Sequence, residues 1–165
     1  MKRLLVLAAI AALAACASAK SDARSDRGAY ADFLVGRVAN LREDYGAAAD
    51  RYFAALARAP ATPELIEGAL RASLADGDVR RARTAARMAK DGRADFAMAR
   101  IVRAADALRE GRWHEARAET QGLDGDSVEL LVGRTIAIWA KAGDSGADEA
   151  AAEFEAITVD WRQVA

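Results

Sequence analysis

Among its 165 residues the chain has one cysteine, one histidine, two prolines and 6% aromatic residues. Each scarcity excludes something. A lone cysteine cannot form an intramolecular disulfide, and a lone histidine with no second thiol leaves no His/Cys set for a structural metal. Two prolines leave few places where a helical run must stop. With few aromatics, the 53% of hydrophobic residues must build a core from alanine, leucine and valine, and alanine is the strongest helix former. Sustained alternation of β-branched residues is missing, so no strand is predicted. A net charge of −1 provides no global field to recruit nucleic acid.

The charge is unevenly spread. Residues 17–70 balance to −1, residues 71–112 to +5 and residues 113–165 to −7. Most of this reads as solvated helix faces, though ends of opposite sign can also steer a partner or a second copy.

The first residues, "MKRLLVLAAIAALAAC", place Lys2 and Arg3 before an apolar run from Leu4 to Ala15 and then small residues. This is the layout of an export signal, too short for the ~20 residues a membrane-spanning helix needs. Leu13-Ala14-Ala15-Cys16 resembles the bacterial lipobox. That resemblance implies cleavage before Cys16, acylation of its thiol and amine with palmitate-type chains, and, with Ala17 following, an outer-membrane anchor facing the periplasm. The alternative is ordinary cleavage after Ala17-Ser18-Ala19, which would release a soluble periplasmic protein. The organisation expected is a signal peptide over 1–15 and a lipidated flexible tether over 16–28, where "ASAKSDARSDRG" is polar and has no apolar period.

From Ala29 onward a pattern repeats. Ala48, Ala82, Ala116 and Ala150 recur at a constant step of 34, with Tyr45, Val79, Trp113 and Ala147 three residues before them and Tyr52 and Phe154 four residues after the first and last. Gly77 and Gly111 mark turns, Thr62-Pro63 opens a helix, and Asp126 with Glu129 spells a capping box. The step of 34 is the tetratricopeptide period. With Gly36, Tyr45, Ala48, Tyr52, Ala55 and Pro60 at the signature spacings, residues 29–157 resemble a tetratricopeptide repeat protein. The resemblance implies an all-α, right-handed α-solenoid of about four helix-turn-helix units, at about 29–62, 63–96, 97–130 and 131–157, followed by a tail over 158–165. Units two to four depart from the pattern: Ala86 and Thr120 stand where a large residue is usual, and Ala147 where an aromatic is. In the tail, Val159, Trp161 and Val164 would fold back over the last unit or dock on a partner, unless the chain is a shortened relative of longer repeat proteins.

Small residues at fixed positions have a physical purpose in this scheme, because helix pairs approach closely only where bulk is missing. By the resemblance, the inward face of the first helices carries Tyr30, Phe33, Arg37 and Asn40, then Glu64, Glu67 and Arg71, then Met98, Ile101, Leu108 and Trp139 as a groove for a segment of an envelope protein. The bland reading of the last four is core between units. A second candidate surface is a basic face of Arg80, Arg83, Arg87 and Lys90, opposite Ala82, Ala86 and Ala89 and pointing away from the stack; it reads first as a solvated outer face, and otherwise as one that would meet anionic lipid or an acidic protein.

Catalytic chemistry is not expected. His114 lacks a nucleophile or ligand partner, "GDSGAD" at 143–148 reads as a turn, and Asp144 with Asp148 falls short of a calcium loop. The expectation is a non-catalytic scaffold lipoprotein with no cofactor and no metal. A binding subunit of a cell-wall enzyme complex, or a weak hydrolase, is the rival.

Overall fold

A computed structural model describes residues 27–92, 96–123 and 128–164, with side chains through residue 155. The segment read as a signal peptide, Cys16 and the expected tether up to residue 26 lie outside the described residues, as do Asp126 and the side chains of Val159, Trp161 and Val164. Among the described residues the fold is all-α, with eight helices and no strand. They are α1 (27–41), α2 (Tyr45–Leu56), α3 (Pro63–Ala75), α4 (Val79–Asp91), α5 (Ala97–Arg109), α6 (Trp113–Thr120), α7 (Val128–Ser145) and α8 (Ala147–Val164). None of them is long and apolar enough to cross a membrane.

The helices α2, α4, α6 and α8 begin at Tyr45, Val79, Trp113 and Ala147, a constant step of 34. Their fourth residues, Ala48, Ala82, Ala116 and Ala150, are all buried. Local chemistry repeats with them. Asp44 and Asp78, one step apart, each accept a hydrogen bond from the backbone N–H three residues on, at 3.2 and 3.0 Å, satisfying an amide that the first helical turn leaves unpaired. Two residues before the starts of α2, α4 and α6 the backbone turns left-handed, at Glu43 (φ 62°), Gly77 (φ 78°) and Gly111 (φ 72°). Glycine carries this conformation without strain, whereas a side chain costs about 1–2 kcal/mol there. Substituting Glu43→Gly is therefore expected to raise stability by about 0.5–1 kcal/mol, read as a shifted urea midpoint with unchanged slope.

Several boundaries differ from the sequence reading. Thr62 stands at the N-cap of α3 but its side chain makes no capping bond, so Pro63 at the first helical position, with its φ already set, starts the helix. α1 takes in Arg27 and Gly28, the last two residues assigned to the tether. α7 begins at Val128, ahead of the 34-residue register, and α8 continues through Val164, so most of the segment read as a tail is helix. The "GDSGAD" turn is a break of one residue: α7 ends at Ser145, Gly146 takes φ 107° and α8 starts at Ala147.

The chain divides into two compact parts, Met1–Gly77 and Asp78–Ala165. In the first, Tyr52 of α2, 5% exposed, occupies the space left by two glycines. A Cβ on Gly36 of α1 would come within 3.3 Å of its ring and one on Gly68 of α3 within 2.9 Å. Asp32 of α1 pairs with Arg51 of α2, at 3.3 Å, and with Arg58 in the turn that follows α2. In the second part, Ile101, Ala104, Ala107, Ala116, Ile136 and Ala140 form a core of α5, α6 and α7, with Trp113 packed against it. A Cβ on Gly143 of α7 would lie 2.7 Å from the Trp113 ring, so the absence of a side chain sets that approach.

Candidate functional site

In the first part α1 and α3 enclose an open cleft of about 290 Å³, lined by Tyr30 and Phe33 from α1, Glu64 and Leu65 from α3, and Thr62 before it. Tyr30 is 63% exposed. Its ring stands 6.4 Å from that of Phe33, which stands 6.2 Å from Tyr52, forming an aromatic chain from surface to core. The Arg37 guanidinium lies 5.9 Å from the Phe33 ring centroid, within cation–π range. Burial pushes the Tyr52 hydroxyl up from its ordinary pKa, against the opposing charge of Arg37. The cleft is thus an apolar slot with a carboxylate, Glu64, in its wall. Further along these helices Asn40 is exposed, while Glu67 and Arg71 pair with each other at 2.9 Å on α3.

The apolar candidates of the second part separate. Ile101 is buried in the α5–α6–α7 core and Leu108 packs against it, so both are core rather than groove lining. Met98 is half-buried. Trp139 is 65% exposed and, with Ile138 of α7 and Ala147, Ala151 and Phe154 of α8, lines another apolar cleft of about 290 Å³.

Nor do the basic candidates form one solvated outer face. Ala82, Ala86 and Ala89 are buried as expected, and Arg80 and Arg87 are exposed. Arg83, however, reaches Asp106 of α5 at 3.0 Å and Lys90 reaches Glu119 of α6 at 2.9 Å. Side chains as long as these turn toward carboxylates on adjacent helices and bury their stems.

Below them lies a group that the sequence did not single out. Arg103 and Glu119 are buried together, Arg103 Nε and Nη2 donating to one Glu119 oxygen at 3.0 and 2.7 Å and its Nη1 to the Ala86 carbonyl at 2.9 Å. Lys90 donates to the other carboxylate oxygen at 2.9 Å. Burial opposes ionisation of Glu119, but the hydrogen bonds and charges of Arg103 and Lys90 together outweigh it and hold the carboxyl below its ordinary pKa. Arg100 closes the end of α6 by donating to the Glu119 carbonyl at 3.0 Å and to the Gln121 carbonyl. The signal available beforehand was faint: Arg103 sits between Val102 and Ala104, and Glu119 three residues after Ala116, both at core-facing positions.

Comparison of the chain with family models, with curated proteins and with solved structures finds no counterpart in any of the three. Its function must be argued from its own geometry.

His114 is exposed at the start of α6, its Nε2 3.4 Å from Asp144. No group of three metal-capable side chains converges among the described residues. The exposed apolar residues Leu34, Val38 and Leu41 continue Tyr30 along one face of α1. Their spacing was readable in the sequence as a second apolar stripe on that helix.

Proposed function

We propose that the chain is a non-catalytic interaction scaffold of the bacterial cell envelope, built from tetratricopeptide-like units and tethered by lipid on Cys16. The observation that carries the interaction reading is the α1–α3 cleft: Tyr30, Phe33 and Glu64, chosen as inward-facing residues by the repeat register, line a single slot. The repeat reading is supported by the four helix starts 34 residues apart and the four buried alanines that accompany them. A slot with aromatic walls and one carboxylate suits a partner segment that inserts an apolar side chain and sets a basic residue against Glu64. The tether rests on the lipobox resemblance around Cys16, with release after Ala19 as the other outcome.

A photo-crosslinking residue in place of Tyr30 is expected to capture one envelope protein in intact cells, and the further change Glu64→Lys is expected to abolish that capture. Capture insensitive to Glu64, or seen equally from a probe at exposed Arg109, would refute the cleft as the docking site. Incorporation of a fatty-acid probe that is lost in Cys16→Ser supports the anchor, and a soluble, unlabelled parent chain overturns it.

A further inference from the structure

The second part of the chain contains a cleft of about 410 Å³ between α4, α5 and the start of α6, within the ~300–1,000 Å³ range of small-ligand sites. One wall is a row of cations on α4, Arg83, Arg87 and Lys90. Their spacing of four and three residues puts them on one helix face over a rise of about 10 Å. Val102 and Asp106 of α5 line it as well, with Arg112 just before α6.

The donors differ in what they have to spare. Arg112 is engaged by Glu110, at 3.0 Å, and Glu115. Arg103, at the base, spends its guanidinium on Glu119 and the Ala86 carbonyl. Arg83 meets Asp106 through Nε at 3.0 Å, and its guanidinium carries further N–H donors. Lys90 gives one N–H to Glu119 and keeps a half-exposed ammonium. Arg87 is exposed and has no ion-pair partner among the described residues. Of the carboxylates in the wall, Asp106 is paired with Arg83 and Arg109 and Glu115 with Arg112, which leaves Asp91 against Arg87 and against Lys90, whose ammonium is shared with Glu119.

We infer that this cleft is a binding site for a diphosphate group, or for two linked phosphates, held by Arg83, Arg87 and Lys90. A single carboxylate would occupy one arginine fork, whereas donors spread along two turns of helix match several oxygens carrying more than one negative charge. Such a group is carried by soluble diphosphates and by lipid headgroups with two phosphates, and the recognising chemistry is the same for both. The ion pairs with Asp106 and Glu119 hold two of the three cations in place before any ligand arrives, which lowers the ordering cost of binding.

Calorimetric titration of the full chain with inorganic pyrophosphate at fixed ionic strength is expected to show saturable binding, weakened about tenfold or more by Arg87→Ala. Arg80→Ala, on the same helix but outside the cleft, is expected to bind as the parent does. Flotation with phosphatidylcholine vesicles, with and without cardiolipin, distinguishes the sources: cardiolipin-dependent flotation lost in Arg87→Ala identifies a lipid headgroup, and pyrophosphate binding without it identifies a soluble ligand. The inference is overturned if neither probe engages the chain in an Arg87-dependent way, or if Arg80→Ala and Arg87→Ala weaken binding equally. Both arginines are exposed, so circular dichroism of the variants is expected to match the parent.

Discussion

Replacing Glu119 by alanine is expected to lower the unfolding free energy by about 3–5 kcal/mol, the cost of stranding one partner of a buried ion pair. Arg103 would lose both of its bonds to the carboxylate while its charge stays held away from water. Lys90, more than half exposed, would return to solvent and contribute little to the loss. The paired replacement Arg103→Met with Glu119→Leu is expected to recover most of the deficit, because no uncompensated charge remains. Urea denaturation of the three chains at neutral pH measures both effects. A loss under 1 kcal/mol in Glu119→Ala would mean that water reaches Arg103.

The same group gives the fold an acid dependence of defined sign. The Glu119 carboxyl titrates below its ordinary value of 4.5 in the folded chain, so the folded state binds its proton less readily than the unfolded chain does. Its contribution is complete above the unfolded pKa and fades as pH falls through the lower folded value. In Glu119→Gln that portion of the acid loss is expected to vanish. A parent and variant with parallel pH profiles below 5 would refute the assignment.

Truncating Tyr52 to alanine is expected to cost about 3–5 kcal/mol, as for other large aromatic side chains removed from a core. The ring fills the space opened by Gly36 and Gly68 and touches Phe33, so its removal leaves a hole bounded by helix backbones, which cannot collapse inward. The reciprocal change probes the same contact. Gly68→Ala places a methyl group 2.9 Å from the ring and is expected to cost about 1–3 kcal/mol in the parent. In a Tyr52→Leu background the cost should shrink, since the ring edge it collides with is gone. Additive losses in the double variant would show that the two residues do not meet.

Tyr52 and its glycines also mark how far the sequence could be read. The recurrence of alanine every 34 residues announced helices and their phase, and α2, α4, α6 and α8 begin at that step because each start is set locally by a left-handed turn residue and, at Asp44 and Asp78, a capping carboxylate. α7 breaks phase, starting at Val128, where the repeat is weakest. Tyr30, Phe33 and Glu64 of α1 and α3 were legible only through the tetratricopeptide resemblance, whose inward positions fall on them. Ile101 and Leu108 were not, because the same apolar spacing describes a groove lining and a core, and only the packing of α6 and α7 against α5 decides between them.

What the amino-acid order determined by itself is the local part: all-helical structure from abundant alanine and scarce proline, the helix phase, and the small residues that permit close approach. The pairing of Arg103 with Glu119, the cleft lined by Arg83, Arg87 and Lys90, and the turning of Arg83 and Lys90 toward adjacent helices were decided only by tertiary structure. Helix formation depends on residues three or four apart, whereas the partner of a charged side chain depends on which distant carboxylate the packing brings within 3 Å of it.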